Sequence, residues 1–115
     1  MKAVLRSISS DTFPIQTWAP DDTGFFKVDL LLKIGAEGSA GADNFDVTVC
    51  SPAWLENSSW RPRWGRGLLI VGEYDLSAIK KEIVAHVAAC QGETWSDIAH
   101  KLSHTLLWEF DDYIQ

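Results

Sequence analysis

From Phe26 to Ile34 the chain alternates: Phe26, Val28, Leu30, Leu32 and Ile34 are apolar, and Lys27, Asp29, Leu31 and Lys33 separate them. A strand turns successive side chains to opposite faces, so a period of two puts five apolar groups on one side of a sheet. Phe45, Val47 and Val49 repeat the pattern against Asp46, Thr48 and Cys50, which predicts a second such strand, antiparallel to the first. The connection between them, Gly35 to Asn44, holds three glycines and the turn-prone pair Asp43-Asn44. Pro52 ends the second strand, because proline has no N–H to give a ladder. Two more strands are predicted, Lys2 to Ser9 ahead of this pair and Leu68 to Tyr74 behind it, the latter apolar enough for a central place.

Beyond Asp75 the period changes to 3.6. Leu76, Ile79, Ile83, Val87 and Cys90 fall on one helical stripe, with Asp75 as N-cap and Gln91-Gly92 as the stop. Thr94-Trp95-Ser96-Asp97 has the spacing of a capping box, with Asp in place of the usual Glu. Trp95, Ile98, Ala99, Leu102, Leu106 and Tyr113 then make the stripe of a second helix running towards the end of the chain. The expected fold is α+β: one domain spanning residues 1–115, a four-stranded, mainly antiparallel sheet, and two C-terminal helices packed on one face.

Composition narrows the partners. The chain has 115 residues, 46% hydrophobic and 23% charged, which suits a packed core rather than disorder. Its 16 acids outweigh 10 bases for a net charge of −6. That field repels phosphate backbones and speeds encounter with a basic partner, so nucleic acid is not expected. No apolar run approaches the roughly 20 residues of a membrane span. The N-terminal stretch meets Arg6 after three apolar residues, too few for a signal-peptide core. Cys50 and Cys90 sit in apolar contexts as expected thiols, and the cytoplasm is the expected compartment.

Several residues invite a functional reading. Continued as a helix, the C-terminal segment turns Trp108 roughly 140° away from Trp95, on an outward side shared with Asp97, His100, His104 and Asp111. Either a loop or N-terminal segment covers that tryptophan, or it anchors a partner. In the tail Glu109-Phe110-Asp111-Asp112-Tyr113, the acids either stay solvated between core aromatics or meet lysines and arginines of a partner. The basic island Trp60-Arg61-Pro62-Arg63-Trp64-Gly65-Arg66 either packs locally, grips a partner protein, or stacks single-stranded bases. Its brevity and the overall charge weigh against the last.

Catalytic chemistry is poorly supported. His100 and His104 have the i, i+4 spacing of a metal pair, with Asp97 on the same side, but no third nitrogen or sulfur ligand is due nearby. They are expected to be surface histidines, and no metal or other cofactor is expected. His86 falls at the edge of the first helix's stripe, as a partly buried packing residue. Cys50 has no activating partner in its vicinity, and no phosphate-binding loop or nucleophile elbow is present. The chain is not expected to be an enzyme.

One ordered series of motifs runs along the chain: Ile34-Gly35, then Phe45-Asp46-Val47-Thr48-Val49-Cys50-Ser51-Pro52-Ala53-Trp54-Leu55, then Tyr74-Asp75. It continues through Cys90-Gln91-Gly92, Trp95, Ile98-Ala99 and Lys101-Leu102 to Trp108-Glu109-Phe110-Asp111-Asp112-Tyr113. From about residue 25 onwards this resembles the Immunity protein 8 family of bacterial polymorphic-toxin and contact-dependent inhibition systems. The resemblance implies a non-enzymatic, cytoplasmic protein that binds and neutralises a cognate toxin domain, often a basic nuclease. It also implies that Trp54, Leu55, Trp95 and Phe110 are scaffold, because the toxin-gripping surface varies among such proteins. From the outward helix side, the acidic tail and the basic island, the residues expected to meet the toxin are Trp108, Asp111, Asp112, His104, Trp60, Arg63 and Trp64. The alternatives are a general protein-interaction module unrelated to toxins and a weak nucleic-acid binder working through the Trp60–Arg66 loop.

Overall fold

A computed structural model describes residues 1–58 and 62–111. The expected alternation builds its centre. Strand β2 (Lys27–Ala36) pairs antiparallel with β3 (Asp43–Cys50), matching Val28 to Val49, Leu30 to Val47 and Leu32 to Phe45. Each pair stands on the same side of the sheet, and all six side chains are buried. Such cross-strand pairs hold a sheet in register, because a slip of one residue would turn every apolar group to water. Strand β1 (Ala3–Ser9) lies antiparallel on the other side of β2, with a bulge between Leu5 and Ser7.

The hairpin joining β2 to β3 is tight. The Arg6 guanidinium donates to the carbonyls of Ala36 (2.9 Å) and Ser39. Gly35 lets the returning loop approach, since a Cβ there would collide with the Gly41 carbonyl.

After β3 the structure adds an element. Pro52 ends the strand as expected, and it also opens the short helix α1 (Pro52–Ser58). Proline suits the first helical position, where no N–H is needed. Ser51, fully buried, caps it: its hydroxyl accepts from Trp54 N–H at 3.3 Å and from Phe26 N–H at 3.1 Å. The chain then returns as β4 (Leu68–Ile70), parallel to β3 and at the end of the order β1-β2-β3-β4. The expected central strand Leu68 to Tyr74 is thus three residues long and peripheral. It stops because the chain turns away at Val71-Gly72 to bring Tyr74 N–H to the Thr23 carbonyl at 2.8 Å.

Helix α2 (Leu76–Ala88) begins at Asp75, whose carboxylate accepts from Ala78 N–H, and it buries Ile79, Ile83 and Val87. Helix α3 (Trp95–Leu102) opens on a complete capping box between Thr94 and Asp97, the shorter acid sufficing. Its Ile98, Ala99 and Leu102 join α2 and the inner sheet face in one core. The α+β class and the antiparallel-dominated sheet follow the sequence pattern.

The C-terminal helix is shorter than its apolar stripe suggests. It ends at Leu102, and Ser103 to Leu106 turn the chain back. Leu107–Trp108 then forms β5, antiparallel to Phe45–Asp46 of β3. Strands β4 and β5 thus share one edge of β3, one pairing Thr48–Cys50 and the other Phe45–Asp46.

Candidate functional site

The expectation that Trp108 faces outward is corrected by β5. Because the helix does not continue, Trp108 pairs with Phe45 and shares its inward side, leaving the indole 7% exposed. It stacks on Phe45 at 6.3 Å between centroids and meets the edges of His100 (5.4 Å) and Phe110 (6.1 Å). Its Nε1–H donates to Asp43 Oδ2 at 3.0 Å. A residue so enclosed offers little to a partner. Trp108 closes the core.

Of the other candidates among the described residues, Asp111 is the one whose partner is a residue of the basic island. Arg66 Nη1 forms an ion pair with Asp111 Oδ2 at 3.1 Å and donates to the Ser103 carbonyl at 3.3 Å. Gly67 N–H donates to the Thr105 carbonyl at 2.8 Å, so Arg66 and Gly67 run beside the 103–111 segment. Asp111 therefore already holds a cation of its own chain. Arg63 is exposed and donates to Ser58 Oγ at 3.1 Å. His104 is exposed in the turn after α3. Trp64 is 94% exposed, the least covered large apolar side chain among the described residues. Trp60 and Asp112 lie outside the described residues, as does Tyr113.

The histidines are arranged for structure. His100 and His104 lose their shared helical side because α3 stops between them, and His100 Nδ1 lies 2.7 Å from the Ser96 carbonyl. Among the described residues no group of three or more His, Cys, Asp or Glu is placed to hold a metal ion. His86 is exposed rather than partly buried, and shares a 2.7 Å hydrogen bond with the Thr105 hydroxyl. Burial pushes the Cys50 thiol up in pKa against a smaller opposing pull from Arg63, and Cys90 likewise against Lys101. Thiols held protonated are weak nucleophiles.

The outer face of the sheet carries features that the sequence did not single out. Pairing sets its side chains in rows: Leu31, Asp46 and Leu107; Asp29, Thr48 and Leu68; Lys27, Cys50 and Ile70. Leu107 is 40% and Ile70 51% exposed. Asp29 binds Lys27 Nζ at 2.7 Å and accepts from Thr48 Oγ1 at 2.6 Å. Desolvation alone would raise the Asp29 pKa, but these bonds and the Lys27 charge lower it. Asp46 goes the other way: desolvation first, then the charges of Asp11, Asp29 and Glu109, raise its pKa. The Lys33–Asn44 pairing lies one row beyond. At the other end Lys27 Nζ sits 6.0 Å from the centroid of the Trp54 ring. Leu107 lies against Gly67, the left-handed residue (φ +81) that opens β4, where any Cβ would meet Leu107 at 2.9 Å. The alternation already placed Asp46 and Asp29 outward; Leu107 escaped notice because it was read as helical.

The described residues thus form a small α+β chain whose sheet buries one face against α2 and α3. Comparison makes this specific: the sequence pattern of the Immunity protein 8 family matches residues 3–113. The chain belongs to that family, and the match takes in most of the N-terminal segment as well as the motifs of the second half. Membership implies an immunity protein directed against a toxin, with a protein as its partner, in a family that is generally non-enzymatic. No curated protein and no solved structure matches the chain. Among the described residues no helix is long and apolar enough to cross a membrane.

Proposed function

We propose that this chain protects its host cell by binding one cognate toxin domain stoichiometrically in the cytoplasm, without turning over a substrate. The observation that carries the reading is the family match over residues 3–113. A net charge of −6 suits a basic toxin, of which nucleases are the prime example, and would steer its approach. The 62–67 loop supplies an anchor: Trp64 stands free at its tip, and tryptophan and arginine lead the residues that dominate interfaces. The reading extends to the exposed Arg63 and His104, and to Asp111 once a partner competes for its Arg66.

The test is co-expression with the toxin domain encoded by the reading frame directly upstream. Growth rescued by this chain, and a one-to-one complex in calorimetry, are the expected results. Rescue absent at equal expression, or purified chain hydrolysing nucleic acid or peptide alone, would remove the reading.

A further inference from the structure

We infer that the toxin docks on the outer face of the sheet, over Leu107 and Asp46, and presents a basic surface with an apolar centre. The inference rests on the function proposed above and names the surface that performs it.

Three observations converge on this face. The helices α2 and α3 pack on the inner side, and on the outer side Asp46, Leu107 and Ile70 stand exposed, whereas Cys50, in the row of Ile70 and beside α1, is fully buried. The apolar groups of the outer side are not scattered: Leu31, Leu68, Ile70 and Leu107 occupy adjoining rows, two of them about half exposed. Charge then specifies the occupant. Asp46 lies among Asp11, Asp29 and Glu109, and of these Asp29 alone holds an ion pair, with Lys27, among the described residues. Three carboxylates acting on Asp46, paired across from the exposed Leu107, make a field that a lysine or arginine from outside would relieve. A second copy of this acidic chain would add to the repulsion.

Size extends the footprint. Strands about 4.8 Å apart and side-chain rows about 6.8 Å apart give the outer patch an area on the order of 200 Å². A stable interface covers roughly 800 Å² on each partner. The toxin must therefore spill beyond the strands, and the 62–67 loop adjoins the face where Gly67 meets Leu107. Trp64 becomes the rim anchor of a site centred on β5.

The experiment titrates the upstream-encoded toxin domain into the full chain and its variants. Asp46→Lys should weaken binding at least tenfold, mainly through slower association, and should flatten its salt dependence. Because this change removes a carboxylate from three like charges, it should melt no lower than wild type; loss of affinity without loss of stability is the signature expected. Leu107→Lys, which keeps an aliphatic stem over Gly67, should weaken binding at least tenfold through faster dissociation. Val84→Lys, on the exposed side of α2, is the control and should bind as wild type. Wild-type binding with both face variants within twofold of it overturns the docking face and leaves the immunity function standing. A loss as large with Val84→Lys also overturns it. A wild-type chain that neither binds nor protects overturns both.

Discussion

The indole N–H groups of Trp95 and Trp108 meet at one atom, Asp43 Oδ2, at 2.7 and 3.0 Å. Asp43 opens β3, Trp95 opens α3 and Trp108 ends β5, so one carboxylate oxygen ties the hairpin to the helix and to the last strand. Trp108 is buried and Trp95 half-buried, and a fully buried donor left unbonded costs about 1–3 kcal/mol. Asp43→Ala should therefore destabilise the chain by about 2–4 kcal/mol, and Asp43→Asn, which keeps an acceptor, by about half of that. Urea denaturation followed by tryptophan fluorescence measures both; equal midpoints for Asp43→Ala and wild type would show that the oxygen does not hold the two rings.

The two tryptophans near the candidate surface should behave oppositely. Trp108→Ala removes a ring stacked on Phe45 in the core and should cost about 3–5 kcal/mol of stability. Trp64→Ala touches little and should leave the melting temperature unchanged while weakening toxin binding, since a fully exposed residue away from special features alters stability by about 0.5 kcal/mol or less. Calorimetry of folding and of binding, on both variants, checks the contrast.

Stability should depend on pH through the outer face. The fold raises the Asp46 pKa, so its charged form costs stability above that pKa, and the cost vanishes as pH falls below the ordinary carboxylate value. Asp46→Asn should thus raise the melting temperature at pH 7 and change it little at strongly acidic pH. Asp29 has the opposite sign: its lowered pKa contributes stability above the ordinary value, lost as pH falls through the folded one. Asp29→Asn should lower the melting temperature at pH 7 only. Both shifts should be a few degrees at most, as partly exposed charges are screened. Thermal melts across pH settle the signs.

Ser51 should matter more than its size suggests. Its hydroxyl serves Phe26 N–H and Trp54 N–H at once, the first from a buried residue. Ser51→Ala loses a helix cap worth about 1 kcal/mol and strands a buried donor worth about 1–3 kcal/mol. A total near 2–3 kcal/mol is expected by chemical denaturation, and Ser51→Thr, keeping the oxygen, should lose less.

Local chemistry was legible where one residue's surroundings decide its role. The alternation of β2 and β3, the Asp75 cap and the Thr94–Asp97 box depend on neighbours a few positions away, and the structure realises each. Pro52 was ambiguous, since the missing N–H that ends a strand equally suits the first turn of a helix. Strand β5 was hidden because Leu106 falls on the buried side in both readings. Only pairing with β3, about 60 positions earlier in the sequence, turns Trp108 inward, and spacing along the chain carries no trace of it. The candidate surface suffered likewise: Trp64 could be assigned to a loop, but not its full exposure, and Leu107 joined Asp46 only through the fold.

The sharing of the β3 edge by β4 and β5 has a consequence for synthesis. Phe45 and Asp46 leave the ribosome long before Leu107 and Trp108 do, and until then half of that edge lacks its partner. Contacts so distant in sequence close late, because the intervening loop must first be ordered. A chain released before residue 107 would have no stacking ring for Phe45 and no leucine beside Asp46. Quality control would meet it as an open edge, a template for pairing with other chains.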